Sequence, residues 1–101
     1  MGGVVTMVSA RIEPERVPDL IGFFGEALRA GLPGERRQTS LLHGDGNLWR
    51  LVSVWRNRED VDDYLSSVEE PFAYRLFREA GGTAEVEIFD VVLDSSTPFW
   101  S

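Results

Sequence analysis

The sequence predicts an α+β fold, a ferredoxin-like β-α-β-β-α-β sandwich, and three observations predict it. Short runs rich in β-branched and aromatic residues at 4–12, 35–44, 47–56 and 84–93 read as strands. The stretches after the first run and after the third carry apolar residues at helical spacing. Pro33-Gly34, Asp45-Gly46 and Gly81-Gly82 punctuate the runs where turns are needed. This order builds one antiparallel sheet with helices on one face.

The first strand, over 4–12, is β-branched and apolar, with Thr6, Ser9 and Arg11 interspersed, and Glu13-Pro14 breaks it. A helix over 15–30 follows, in which Val17, Leu20, Ile21, Phe24, Ala27 and Leu28 form one apolar stripe. Pro18 is tolerated in its first turn, where a missing N–H costs nothing. Gly31 and Pro33-Gly34 stop it. Asp45-Gly46 reads as a two-residue hairpin turn. With that turn Leu42 pairs with Trp49, Ser40 with Leu51 and Gln38 with Ser53, and all share a face with Trp55. Thr39, Leu41, His43, Leu48, Arg50, Val52 and Val54 then take the opposite face, and a longer loop would exchange the sets.

Asn57 caps the next helix, with Asp60 in its first turn, where negative charge suits the helix dipole. Val61, Tyr64, Leu65 and Val68 form its stripe. Glu69-Glu70-Pro71 interrupts it, and a further helix over 71–80 turns Phe72, Ala73, Leu76 and Phe77 inward. The last strand, over 84–93, is apolar on both faces: Val86, Ile88 and Val92 against Phe89, Val91 and Leu93. A wet sheet face alternates to polar residues, and the third and fourth strands do not. A homodimer with the two sheets facing each other is therefore expected.

The 101 residues make one domain, 1–94, with a tail over 95–101. Net charge is −7, from 17 acidic residues against 10 arginines, the wrong sign for a nucleic-acid partner. There is no cysteine and His43 is the sole histidine, so thiolate chemistry and multi-imidazole metal sites are excluded within one chain. No metal and no prosthetic group is expected. No apolar run approaches the ~20 residues of a spanning helix, and no secretory signal opens the chain, so no membrane partner and a cytoplasmic location are expected.

From Val4 to Leu93 the chain resembles the antibiotic-biosynthesis-monooxygenase group of dimeric α/β barrels. The resemblance is carried by Arg11-Ile12-Glu13-Pro14-Glu15, by Leu32-Pro33-Gly34, by Leu51-Val52-Ser53-Val54-Trp55 with Asn57-Arg58-Glu59-Asp60, and by Glu70-Pro71-Phe72. It implies a homodimeric, cofactor-independent monooxygenase acting with O2 on an aromatic, polyketide-like or quinol small molecule. Relatives that oxidise polyketide phenols resemble one another in an amide four residues before the tryptophan and a tyrosine six after it. Leu51 and Val61 stand there, and only Trp55 matches. Haem-degrading relatives combine this tryptophan with an asparagine on the first strand and a histidine on the second helix, and neither is present. The alternatives are a non-catalytic dimeric barrel binding a small apolar ligand or a protein, and a cyclase or isomerase on the same scaffold.

Cofactor-free oxygenation asks for an apolar cavity, orientation, and a base or hydrogen bond for the substrate anion. His43, Trp55 and Tyr64 are the expected catalytic residues. Trp55 would wall the pocket; otherwise it is core with a satisfied indole N–H. The Tyr64 hydroxyl would reach a substrate oxygen; otherwise it reaches solvent. His43, as the sole histidine, is the natural base; otherwise it is solvated beside the turn. Trp49, Leu51, Phe72, Phe24 and Arg50 are the expected substrate-binding residues. Arg50 and Arg11 lie among apolar strand neighbours, where each needs Glu85, Glu87 or Asp90, or an anionic substrate group. Phe99 and Trp100 are expected to dock on a partner subunit or over a pocket mouth.

Overall fold

The computed structural model describes residues 3–95. The chain runs β1 (Val4–Arg11), a 3-10 turn (Pro14–Arg16), α1 (Val17–Ala30), β2 (Arg36–His43), β3 (Leu48–Trp55), α2 (Arg58–Ser67), α3 (Phe72–Glu79) and β4 (Glu85–Asp90). The strands pair antiparallel in the order β2-β3-β1-β4. This is the ferredoxin-like arrangement. The 95–101 tail, with Phe99 and Trp100, lies outside the described residues except for its first.

β3 alternates cleanly, burying Trp49, Leu51, Ser53 and Trp55 under the helices. Val4, Val8, Ala10 and Ile12 of β1 and its continuation face the same way. The helices cover this side in two patches. Leu20 of α1 and Ala73, Leu76 and Phe77 of α3 pack on Val8, Ala10, Trp49 and Leu51. Val61 and Tyr64 of α2 pack on Val4 and Trp55. Phe72 touches both patches, so it marks the seam between them.

Local signals act as expected at α2. The Asn57 side chain accepts the Asp60 N–H at 2.8 Å, and Arg56 grips the Asp60 carboxylate through two bonds of 3.1 Å. At α1 the start is tighter than expected. Pro18 has no N–H for the Pro14 carbonyl, so the chain enters through a 3-10 turn closed by Arg16 N–H to Glu13 O, 2.8 Å. Its stripe is also narrower: Leu20 is buried and Phe23 half-buried, while Ile21 and Leu28 stand about half exposed at the edge.

The hairpin register differs from the one expected. Residues 44–47 form the loop, with Gly44 N–H to Leu48 O at 2.9 Å, and Gly46 takes the positive φ of 62°. The longer loop slips the pairing by one, to Leu41↔Leu51, His43↔Trp49 and Thr39↔Ser53. Thr39, Leu41 and His43 therefore share the helix side with Trp55, and Gln38, Ser40 and Leu42 take the open side. β4 is shorter than expected, and 91–93 continue outside the sheet.

The open side is banded. Gln38, Val54, Val5 and Phe89 form one row across the four strands; Ser40, Val52, Met7 and Glu87 the next; Leu42, Arg50, Ser9 and Glu85 the third. Arg50 donates to Ser9 Oγ at 2.8 Å. No ion pair joins Arg50 or Arg11 to Glu85, Glu87 or Asp90 among the described residues; Ser9 stands in the row between Arg50 and Glu85, and the β4 pairing ends before Arg11.

Phe77 is fully buried at the centre of the larger patch. Phe77→Ala is expected to lower unfolding free energy by about 3–5 kcal/mol in urea titrations, with the m-value kept.

Candidate functional site

The site is built by an irregularity in β2. Arg36 pairs with Trp55 and Gln38 with Val54, so Arg37 is the extra residue of a β-bulge. In a regular strand residues 36 and 38 would point the same way. The bulge instead turns Arg36 onto the helix side.

There the guanidinium carbon lies 4.8 Å from the Trp55 ring centroid, 4.9 Å from that of Tyr64 and 5.7 Å from that of Phe72. These are cation–π distances. Arg36 Nε donates to the Pro33 carbonyl at 2.7 Å and Nη1 to Ser53 Oγ at 2.9 Å. Arg16, Arg56, Arg58, Arg75 and Arg78 hold carboxylates; Arg36 has none among the described residues. Burial pulls its pKa below the ordinary arginine value, partly offset by neighbouring Tyr64. A guanidinium remains charged regardless.

The walls are ordered by their own polar atoms. The Trp55 and Tyr64 rings lie 5.6 Å apart at 36°. Trp55 Nε1 donates to Thr6 Oγ1 at 3.0 Å, and Tyr64 Oη accepts the Phe72 N–H at 2.7 Å. Thr39 and Ser53 hydroxyls meet at 3.0 Å, which leaves the fully buried Ser53 satisfied. The preceding turn presses on the same rings. Gly34 has φ 83°, and a Cβ there would stand 3.1 Å from both Trp55 and Tyr64 ring carbons.

Two cavities adjoin this cluster. One, of about 40 Å³, lies between sheet and α2 and is lined by Arg36, Leu51, Ser53, Trp55, Tyr64 and Ile88. It has room for solvent rather than a substrate. The other, of about 380 Å³, is a groove between α1 and α3 lined by Phe23, Ala27, Pro33, Phe72, Leu76 and Glu79. That size falls within the range of small-molecule sites. Phe72 and Pro33 form the partition: each lines the groove and also contacts Arg36.

Of the expected site residues, the fold brings Trp55, Tyr64, Leu51 and Phe72 together. It holds the others apart. His43 sits exposed at the end of β2, beside the start of β3, its ring stacked 4.3 Å from Trp49 at 9° and its Nε2 bonded to Gly46 O at 2.9 Å. Trp49 is buried in the larger patch, and its Nε1 has no partner among the described residues. Phe24 packs half-buried on that patch and lines neither cavity. Arg50 lies on the open side of the sheet. The reading from sequence missed Arg36, Ser53, Thr39 and Thr6. The only trace of Arg36 is the pair Arg36-Arg37 after Pro33-Gly34, because a bulge leaves no periodicity of its own.

No protein-family model matches the chain, and no curated protein does. Solved structures share its fold. A conserved protein from Methanosarcina mazei Go1 is 13% identical over 88% of this chain and 92% of its own, with a TM-score of 0.68. The heme-degrader MhuD from Mycobacterium tuberculosis, with two hemes in its active site, is 20% identical over 92% and 99%, TM-score 0.66. The cofactor-independent oxygenase SnoaB from Streptomyces nogalater is 15% identical over 97% and 99%, TM-score 0.59. The chain thus shares the ferredoxin-like fold of these structures, and at these identities the likeness is one of fold.

Tyr64→Phe removes the acceptor for the Phe72 N–H. It is expected to cost about 1–3 kcal/mol in denaturant titrations, the range for an unsatisfied buried donor.

Proposed function

We propose that the protein is a homodimeric, cofactor-independent monooxygenase of the antibiotic-biosynthesis-monooxygenase group, acting with O2 on an electron-rich, polyketide-like or quinol aromatic. The observation that carries this reading is the convergence of Trp55, Tyr64 and Phe72 on one guanidinium beside a groove of substrate size. An anthrone-type substrate shows the balance. Its CH2 becomes C=O, one oxygen atom of O2 enters the product and the other leaves as water. The substrate supplies all the electrons once it has lost a proton. The protein's share is orientation, exclusion of water and stabilisation of the anion. Haem breakdown finds less support. The only imidazole, His43, is at the opposite end of β3 from Trp55.

A second copy covering the open face completes the proposal. Val5, Met7, Val52 and Val54 form an apolar band there, Phe89 and Leu42 flank it at 47% exposure, and Val92 and Leu93 beyond β4 stand bare. Sedimentation is expected at about twice the 11.3 kDa chain mass. Val54→Asp, which puts a charge in the band, is expected to give monomers at the same concentration. A folded wild-type monomer would remove the dimer.

The competing reading is a non-catalytic binder. It draws on the small size of the cavity beside Trp55 and on the fact that the Trp55 N–H and Tyr64 hydroxyl are already bonded within the fold. Oxygen uptake separates the two. With a panel of anthrones and hydroquinones, uptake above the uncatalysed rate is expected, and Trp55→Phe is expected to slow it about tenfold or more. No uptake with any member of the panel leaves the binder.

A further inference from the structure

We infer that the α1–α3 groove binds an organic cation, a flat apolar body carrying a primary ammonium group, and that Glu26 receives the ammonium. The inference shares the groove with the proposed reaction but does not require the reaction to occur.

The groove exists because one of its two helices lines it with small side chains. Phe23, Ala27 and Ala30 of α1 stand on one wall and Phe72 and Leu76 of α3 on the other. On each helix these positions recur at spacings of three and four residues, so each helix turns a single stripe toward the space between them. Helices with long side chains on such stripes interdigitate and close the gap. Alanine at 27 and 30 stops short, and about 380 Å³ stays open. Two phenyl rings and a leucine suit a flat apolar ligand, and ring faces also attract cations.

Charge decides the polar end of that ligand. Glu26, Arg75 and Glu79 are the charged side chains of the lining. Arg75 Nε donates to Glu79 Oε2 at 3.1 Å, so this cation is answered by a carboxylate one turn further along its own helix. Glu26, on the α1 wall, forms no ion pair among the described residues. The lining is left with one carboxylate in excess, in a chain of net charge −7. An anion in the groove meets Glu26 and Glu79 with Arg75 already engaged. A cation meets Glu26, which follows Phe23 by one helical turn and adjoins Ala27, so a ring lying over Ala27 brings its ammonium to the carboxylate. Glu26 is exposed, and exposed ion pairs are weak. The apolar walls therefore supply most of the affinity and Glu26 the choice of charge.

The test is isothermal titration, without oxygen, of the full-length protein with three ligands of similar shape. They are 2-naphthylmethylamine, which is charged at neutral pH, the neutral 2-naphthylmethanol, and 2-naphthoate. The amine is expected to bind about threefold more tightly than the alcohol at low salt, and the acid more weakly than either. Glu26→Gln is expected to bring the amine down to the alcohol and leave the alcohol unchanged. Ala27→Leu, which fills the groove, is expected to weaken amine and alcohol together by about tenfold or more. Equal binding of amine and alcohol by the wild type, binding of neither, or tightest binding of the acid overturns the inference. So does an undiminished preference in Glu26→Gln, or undiminished binding in a folded Ala27→Leu protein. A preference for the amine with no oxygen uptake from the anthrone and hydroquinone panel would sink the monooxygenase reading and leave the cation site standing; uptake without the preference would do the reverse.

Discussion

The pairing of Trp55 with Arg36 at the edge of the sheet governs what this domain can hold. A single extra residue, Arg37, rotates the start of β2 by half a pleat and carries a cation from the open face to the helix face. Everything near the site adjusts to it. Ser53, the hydroxyl on the buried side of β3, takes one guanidinium bond, and Pro33 in the preceding turn takes another. Gly34 has no Cβ, so the turn can lie against the Trp55 and Tyr64 rings.

The helix side of the sheet is divided by chemistry as much as by packing. The row Leu41, Leu51, Val8, Val86 is apolar and sits beneath α3, while the neighbouring row Thr39, Ser53, Thr6, Ile88 carries three hydroxyls. Those hydroxyls are consumed locally: Thr6 by the Trp55 indole, Ser53 by Thr39 and Arg36. Buried polar groups satisfied in this way rigidify their surroundings. Arg36 is the cation of the network and holds no carboxylate among the described residues, which makes the site cationic. Such an arrangement can hold an anion and cannot by itself move a proton as a histidine would. A substrate acidic enough to lose its proton readily fits that limit.

Small domains bury a modest share of their surface, and this one does so with two helix-covered patches joined at Phe72. At the seam Phe72 stands between the groove and the guanidinium. Α tight core leaves no room for a ligand; a seam between two separately packed patches does, at the cost of the packing lost there.

Much of the fold was legible from residue type and spacing. The four strands, the split of the second helical stretch at Glu69-Glu70-Pro71, the Asn57 cap and the inward set Ala73, Leu76 and Phe77 follow from local chemistry, in which backbone geometry and side-chain period act over a few residues. The grouping of Trp55, Tyr64, Leu51 and Phe72 comes from the resemblance, not from local chemistry, and the fold places these side chains near one another. What the tertiary structure alone decided was register. Pairing across strands depends on loop closure and on one unpaired residue, and a slip of one position exchanges the faces of a whole strand. That is why His43 and Leu41 came to the helix side, why Leu42 went to the open side, and why Arg36, unremarkable as one of two adjacent arginines, stands inside the aromatic cluster.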